Sequence, residues 1–340
     1  RFEWMPDSNW TGIFELTYSA RRREREDRRT SNDREVNVGE AYLRRDVSSL
    51  TWLTVGRQDF DEVREWLYDQ NLDAIRVGTQ RWGMQFEASV STIFSNDRSR
   101  GEDATNYIVS ATREFGEGSI SAYRIARNFA REYAENSTHY GVRAYGSWFQ
   151  SEQVWLDLAW QRGDRNDADI RAYAMDVGGT WEIGSSRTWY LTAGLAFGSG
   201  DDPATSADET FRQSGLQDNN GRFGGVTSFK YYGELSDPEL SNIRVATFGV
   251  GKRFFPELSV DVVMHSYRLD EPVSELDDVE WDSDLSGDSV NLGWETDIVF
   301  GWRAFERWEA EGVLGYFKPG GGFVEGDAAW FGKLQLKYRY

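Results

Sequence analysis

The chain has 340 residues, of which only 39% are hydrophobic and 28% charged, yet 15% are aromatic, with 15 Trp, 16 Tyr and 20 Phe. No apolar run approaches the ~18–20 residues a membrane-crossing helix needs, and 34 Gly against 6 Pro, with no sustained helical period, argues against helical bundles and doubly wound α/β folds. Zero Cys removes disulfides and sulfur-ligated metals, and a net charge of -19 disfavours nonspecific nucleic-acid binding.

What remains is all-β, and the elements can be taken in chain order. Trp10, Phe14, Leu16 and Tyr18 share one face of a first strand. Trp82, Met84, Phe86, Ala88, Val90, Thr92 and Phe94 alternate with polar neighbours in the same way. So do Tyr173, Met175, Val177, Gly179, Trp181 and Ile183, then Trp189, Leu191, Ala193, Leu195 and Phe197. At the end of the chain Leu334, Leu336, Tyr338 and Tyr340 fall on one side, with Lys333, Gln335, Lys337 and Arg339 on the other. Read throughout, the period of two predicts strands near 9–19, 35–46, 50–58, 71–79, 82–95, 105–115, 118–130 and 137–149. Eight more follow near 153–163, 168–183, 188–199, 240–254, 258–270, 288–303, 307–318 and 328–340. The phase slips near Gly39 and Gly56, which points to bulges there.

The connections alternate in length. Long polar loops, about 20–34, 200–239 and 270–287, follow odd strands, whereas even strands end in short turns such as 116–118, 150–152 and 184–187. A soluble barrel or propeller has no reason to obey that rule, and its surface would not carry an oily face. A bacterial outer-membrane barrel has short periplasmic turns, long external loops and an even strand count. Trp148, Trp181, Trp189, Trp302, Trp308 and Tyr340 gather at the short-turn ends, where an interfacial girdle belongs. The fold class predicted is therefore all-β, a transmembrane antiparallel up-and-down β-barrel of about sixteen strands, forming one domain over 1–340. The start at Arg1 rather than Met fits removal of a signal peptide.

Several stretches carry a family resemblance: VGRQ at 55–58, NLDAIRV at 71–77, TFRQSGLQDNNGRF at 210–223, YYGELSDPELSNIRV at 231–245, GWETDI at 293–298 and GYFKPGGG at 315–322. Collinear and spread over most of the chain after about Glu40, they resemble the alginate export family of Gram-negative outer-membrane barrels. The resemblance implies a monomer that passes an anionic polysaccharide outward through a lumen bearing basic selectivity residues. This chain is shorter than the alginate exporter.

The inward faces predicted from alternation supply Arg76, Arg143, Lys333, Lys337 and Arg339, with Arg244 on a less regular strand and Arg57 ambiguous in phase. Guanidinium forks suit carboxylates, so these residues could form a ladder that lowers the cost of dehydrating a uronate in a narrow pore. The same faces carry Glu15, Glu87, Asp157, Asp176, Glu182, Glu295 and Asp297, and cross-wall ion pairing is the competing reading.

The run RRREREDRR at 21–29 could bind lipopolysaccharide phosphates or gather a polyanion, or be a solvated loop. In the acidic stretch 270–288, Asp282, Asp284 and Asp288 offer a weak calcium site, because Gly293 stands where a calcium loop needs its bidentate Glu. The forty residues from Gly200 to Glu239 exceed an ordinary connection, and insertion into the lumen is expected. His139 and His265 are the only histidines and neither lies in a hydrolase motif, so no enzyme and no cofactor are expected. The partners expected are outer-membrane lipid, lipopolysaccharide and an anionic polysaccharide or small solute. Two other readings stay open: a porin-like uptake channel for small sugars or organic acids, and a plugged barrel that binds a surface partner.

Overall fold

Side chains that alternate between oil and water can satisfy both only on a strand whose faces meet different media. The computed structural model describes residues 1–24, 30–92, 104–129, 135–149, 152–166, 168–276, 284–304 and 307–338, with backbone alone for 19–24, 30–33, 35 and 304. The strands are β1 (Phe2–Asp7), β2 (Trp10–Glu24), β3 (Thr30–Ser48), β4 (Thr51–Asp61), β5 (Asp69–Arg81), β6 (Met84–Thr92), β7 (Ala104–Glu114), β8 (Gly118–Phe129), β9 (Asn136–Gly146) and β10 (Gln153–Arg165). Then come β11 (Ala168–Ile183), β12 (Trp189–Gly198), the two-residue β13 (Asn220–Gly221) and β14 (Phe229–Lys230), β15 (Ile243–Phe255), β16 (Leu258–Leu269), β17 (Asn291–Ala304), β18 (Trp308–Pro319) and β19 (Ala329–Tyr338).

Apart from the β13–β14 pair, these form one seventeen-stranded sheet in which each strand runs antiparallel to its sequence neighbour. The sixteen segments read from alternation correspond one to one with β2–β12 and β15–β19. The additional strand is β1, which pairs Phe2 with Phe14 and Trp4 with Gly12; its FEWMPD sequence is too short and mixed to show a period. The bulge expected at Gly39 is present: between the pairs Phe14↔Ala41 and Leu16↔Val38, two β3 residues oppose the single Glu15. Gly56 instead keeps register and adopts φ 123°, which lets the backbone pass close to the Ala41 carbonyl.

Each wall strand has a covered and an open face. On β16, Ser259, Asp261, Val263, His265 and Tyr267 are buried, while Val262 and Met264 remain 44% and 46% exposed. Leu195, Phe248, Ile298, Phe300 and Leu314 are exposed in the same way on neighbouring strands. A continuous exposed apolar surface of this kind requires hydrocarbon as its solvent.

The buried core lies inside the barrel. The connection from β12 to β15 carries Phe211, Leu216, Phe223, Phe229, Tyr231, Tyr232 and Leu240, all buried against inward wall residues such as Ile125, Trp155, Ile170 and Val263. Its backbone or side chains reach β8 at Arg127, β9 at His139, β10 at Gln153, β16 at Ser259, β17 at Glu295 and β18 at Glu311. One loop can touch all these strands only if the sheet curls around it. The loop leaves from the long-loop end and runs nearly the full height of the lumen. Near its tip the Gly224 carbonyl accepts a hydrogen bond from Arg253 at 2.6 Å, and Val226 donates to Ser259 at 2.9 Å, both at the short-turn ends of β15 and β16. The insertion expected for 200–239 is thus found, and it fills much of the interior.

Candidate functional site

The functional space of such a barrel is whatever the inserted loop leaves open. Among the described residues, two cavities along the inner wall bring charged side chains together. One, of about 380 Å³, lies between the loop and β17–β19, lined by Asp218, Asn220, Arg222, Ser228, Lys230, Glu234, Arg303, Glu309, Glu311, Lys333, Gln335 and Lys337. The other, of about 280 Å³, lies on β3–β6 and is lined by residues including Tyr42, Arg44, Trp52, Asp59, Arg76 and Glu87.

The basic residues expected to line the lumen occupy different places. Arg143 is committed to structure: its guanidinium meets Asp157 at 2.5 Å and Glu62 at 2.6 Å, and lies 5.3 Å from the Tyr123 ring. Arg76 faces the second cavity, paired with Glu87 and stacked 4.8 Å over Phe60 and 5.6 Å over Trp52. Lys333 and Lys337 face the first cavity. Lys333 bonds Glu311 at 2.7 Å, while Lys337 has no carboxylate partner among the described residues. Arg339 lies outside the described residues.

Two expectations are corrected. Arg57 does not line the pore, because it pairs with Asp73 at 3.3 Å on the face shared with the exposed Val55 and Ile75. Gln58 and Phe60, on the opposite phase, are buried inside the barrel. Arg244 also points outward: it registers with Phe197, lies 5.5 Å from that ring and pairs with Asp270, while the flanking Ile243 and Val245 are buried inside.

The inward carboxylates chiefly hold the loop and its neighbours in place. Glu295 accepts the N–H groups of Leu235 at 2.8 Å and Ser236 at 3.0 Å, and Asp297 that of Glu234 at 3.3 Å. Asp176 accepts from Arg64 at 2.8 Å, Trp155 at 2.8 Å and Tyr232 at 2.9 Å. Asp261 accepts from the Tyr190 hydroxyl at 2.6 Å, and Glu182 from Arg253 at 2.9 Å. Sequence reading missed Arg64, Glu62 and Trp66 in the β4–β5 connection, because they belong to no alternating segment. Glu62 folds that connection by accepting the N–H groups of Arg64, Trp66 and Leu67.

Of the calcium candidates, Asp282 lies outside the described residues, and Asp284 and Asp288 are exposed beside the β18–β19 connection. Among the described residues the carboxylates that converge are Glu65, Asp69 and Asp218, whose oxygens lie within 4.8 Å of one another. Lys230 supplies a neutralising ammonium 2.7 Å from Asp218. Both histidines are buried: His139 Nε2 lies 2.9 Å from the Arg212 carbonyl, and His265 Nδ1 lies 2.9 Å from the Thr247 hydroxyl.

An oily outer wall, an up-and-down meander and a lumen narrowed by an inserted loop define a porin-like channel of the bacterial outer membrane. Solved structures agree on the fold. Pseudomonas aeruginosa OccK11 (OpdR) aligns with TM-score 0.61 at 12% identity, over 98% of this chain and 85% of its own. P. aeruginosa OccK2 (OpdF), solved in complex with glucuronate, aligns with TM-score 0.55 at 12% identity over 98% and 87%. The chain belongs to the alginate export family, whose model matches residues 7–330. It is similar to the alginate production protein AlgE of P. aeruginosa, 24% identical over 57% of this chain and 41% of that one. Against AlgE of Azotobacter vinelandii it is 31% identical over 39% and 28%. The matches therefore span less than half the length of these relatives.

Proposed function

We propose that this protein passes an anionic saccharide across the outer membrane by diffusion, with no covalent step, along the part of the lumen that the β12–β15 loop leaves open. The observation that carries this reading is the cavity at β17–β19, where Arg303, Lys333 and Lys337 of the wall and Arg222 and Lys230 of the loop line about 380 Å³ of polar space. Cations there replace part of the hydration a carboxylate loses on entering a constriction. Glu309 and Glu311 line the same space and pair with Arg303 and Lys333 at 3.2 Å and 2.7 Å. The similarity to proteins of alginate production, and to a channel crystallised with glucuronate, supports a uronate-type cargo.

A second reading has its own observation. The two inner-wall cavities measure about 280 and 380 Å³, a size that suits single sugar acids or small organic acids entering one at a time. Reconstitution into planar bilayers separates these readings. Anion-selective conductance blocked by uronate oligomers supports polysaccharide passage. Anion selectivity that responds to monomeric uronates but not to oligomers supports small-solute uptake. Cation preference overturns both, and a silent bilayer points to a plugged barrel that binds a partner.

A further inference from the structure

The outer face of the barrel carries two arginine pairs where a lipid-facing wall should be neutral. On β10 and β11, Arg162 stands directly opposite Arg171; on β15 and β16, Arg244 stands directly opposite Arg268. All four are exposed and lie on the outward phase of their strands. Like charges placed directly across a ladder destabilise it, and two such pairs flank the single strand β12.

Their height is fixed by the aromatic residues beside them. Arg162 is two residues farther toward the long-loop end than the exposed Trp160, and Arg171 is likewise placed beyond the exposed Tyr173. Tyr173 packs on Phe197 with ring centroids 5.4 Å apart, and Arg244 lies over Phe197. The arginines thus sit at or just outside an aromatic girdle on the external side, where the hydrocarbon ends and headgroups begin.

Local acids balance the group only in part. Arg171 lies 3.4 Å from Asp169, with both side chains more than half exposed, and Arg244 pairs with Asp270. Arg162 turns one nitrogen onto the Gln161 and Ala172 carbonyls, at 2.8 and 3.4 Å, and among the described residues no acid pairs with Arg162 or Arg268. Asp164 adds one exposed carboxylate on the same phase of β10. Each opposed pair therefore presents two guanidinium groups to one headgroup-level position.

We propose that this surface binds the phosphate groups of the phosphorylated glycolipid in the outer leaflet, one phosphate between each arginine pair. A dianionic phosphate bridging two planar guanidinium groups converts a repulsive cross-strand pair into an attractive one, with bidentate geometry on both sides. The proposal rests on the outer-membrane location and is independent of the cargo.

The test uses the full chain in detergent micelles with purified lipopolysaccharide, its dephosphorylated form and inorganic phosphate as probes. The variant Arg162→Gln/Arg171→Gln/Arg244→Gln/Arg268→Gln is compared with the parent after both show the heat-modifiable gel mobility of a folded barrel. The expected result is at least tenfold weaker lipopolysaccharide binding by the variant, weak binding of the dephosphorylated form by the parent, and no displacement by millimolar inorganic phosphate. Parent-like binding by the variant overturns the proposal, as does equal binding of the dephosphorylated lipid or displacement by free phosphate. If the fourfold variant does not fold, each double variant, Arg162→Gln/Arg171→Gln and Arg244→Gln/Arg268→Gln, is read by the same criteria.

Discussion

Arg64, in the connection after β4, reaches the carboxylate of Asp176 on β11 at 2.8 Å, although 112 residues separate them in the chain. Its guanidinium is held between two rings, 4.1 Å from Trp155 of the wall and 3.9 Å from Tyr231 of the inserted loop. Tyr232 donates to the same Asp176 oxygen that Arg64 contacts. This one charge pair therefore joins the β4–β5 connection, the wall and the loop.

Removing one member of a buried pair strands the other charge, at a cost of about 3–5 kcal/mol. Arg64→Met is expected to loosen the loop at Tyr231 and Tyr232 before the wall itself unfolds, since the interstrand ladder is untouched. In bilayers the variant should show larger conductance with frequent transitions, and limited proteolysis should cut within 199–242. Unchanged conductance and an intact loop would show that the latch lies elsewhere.

Arg143 and Lys337 should behave in opposite ways, because one is spent on structure and the other is not. Arg143→Met leaves Asp157 and Glu62 buried without their cation, at a cost of about 3–5 kcal/mol, and should lower the unfolding temperature. Lys337→Ala should leave stability unchanged and weaken anion selectivity. A unit charge at 4 Å in water contributes about 1 kcal/mol, so the permeability ratio should fall by up to roughly fivefold. Reversal potentials in a salt gradient measure the second effect and thermal melts the first. An equal loss of stability in both variants would sink the distinction.

The wall was legible in the sequence because a membrane imposes the same two-residue period on every strand, as in Leu334, Leu336 and Tyr338 against Lys333, Gln335 and Lys337. The existence and lumen position of the 200–239 loop followed from its length. Its partners did not: the hydrogen bonds of Leu235 and Ser236 to Glu295 span about sixty residues and leave no local pattern. Arg57 and Arg244 fall on strands whose alternation is irregular, so the period alone does not fix their side, and each pairs with an acid on the outer face, Asp73 and Asp270. The girdle expected at the short-turn ends is matched by an external one, with Trp160 and Tyr173, hidden because these rings lie mid-segment.

Glu65 gives the loop anchor a pH dependence. Burial, followed by repulsion from Asp69 and Asp218, raises its pKa from 4.5 to about 8. Its carboxylate and carbonyl accept N–H groups from Asn220, Asp218 and Asn219 of the loop, at 3.2, 3.2 and 3.1 Å. The folded state thus holds a proton that the unfolded chain releases, so this contribution is full below about pH 4.5 and is lost as the pH rises toward 8. The unfolding temperature should fall over that window in the parent, and Glu65→Gln should flatten the profile. A parent profile that rises or stays level there would contradict the assignment.

Gly233 tests whether the loop, rather than the wall, sets the bore. It adopts φ 116°, a conformation that L side chains rarely take, and an added Cβ would lie 2.9 Å from the Glu295 carboxyl carbon and closer still to the Tyr267 hydroxyl. That hydroxyl already donates to the Tyr232 carbonyl at 2.7 Å, so it cannot retreat without releasing the loop. Gly233→Ala therefore combines backbone strain of order 1–3 kcal/mol with a steric push away from β16 and β17. Conductance should rise while the barrel keeps its folded gel mobility. Gly321→Ala serves as control, since only the Ser289 hydroxyl lies near its added Cβ, at 3.6 Å, and should leave conductance unchanged. If both variants conduct like the parent, the loop does not limit passage, and the route must lie along the β3–β6 and β19 walls alone.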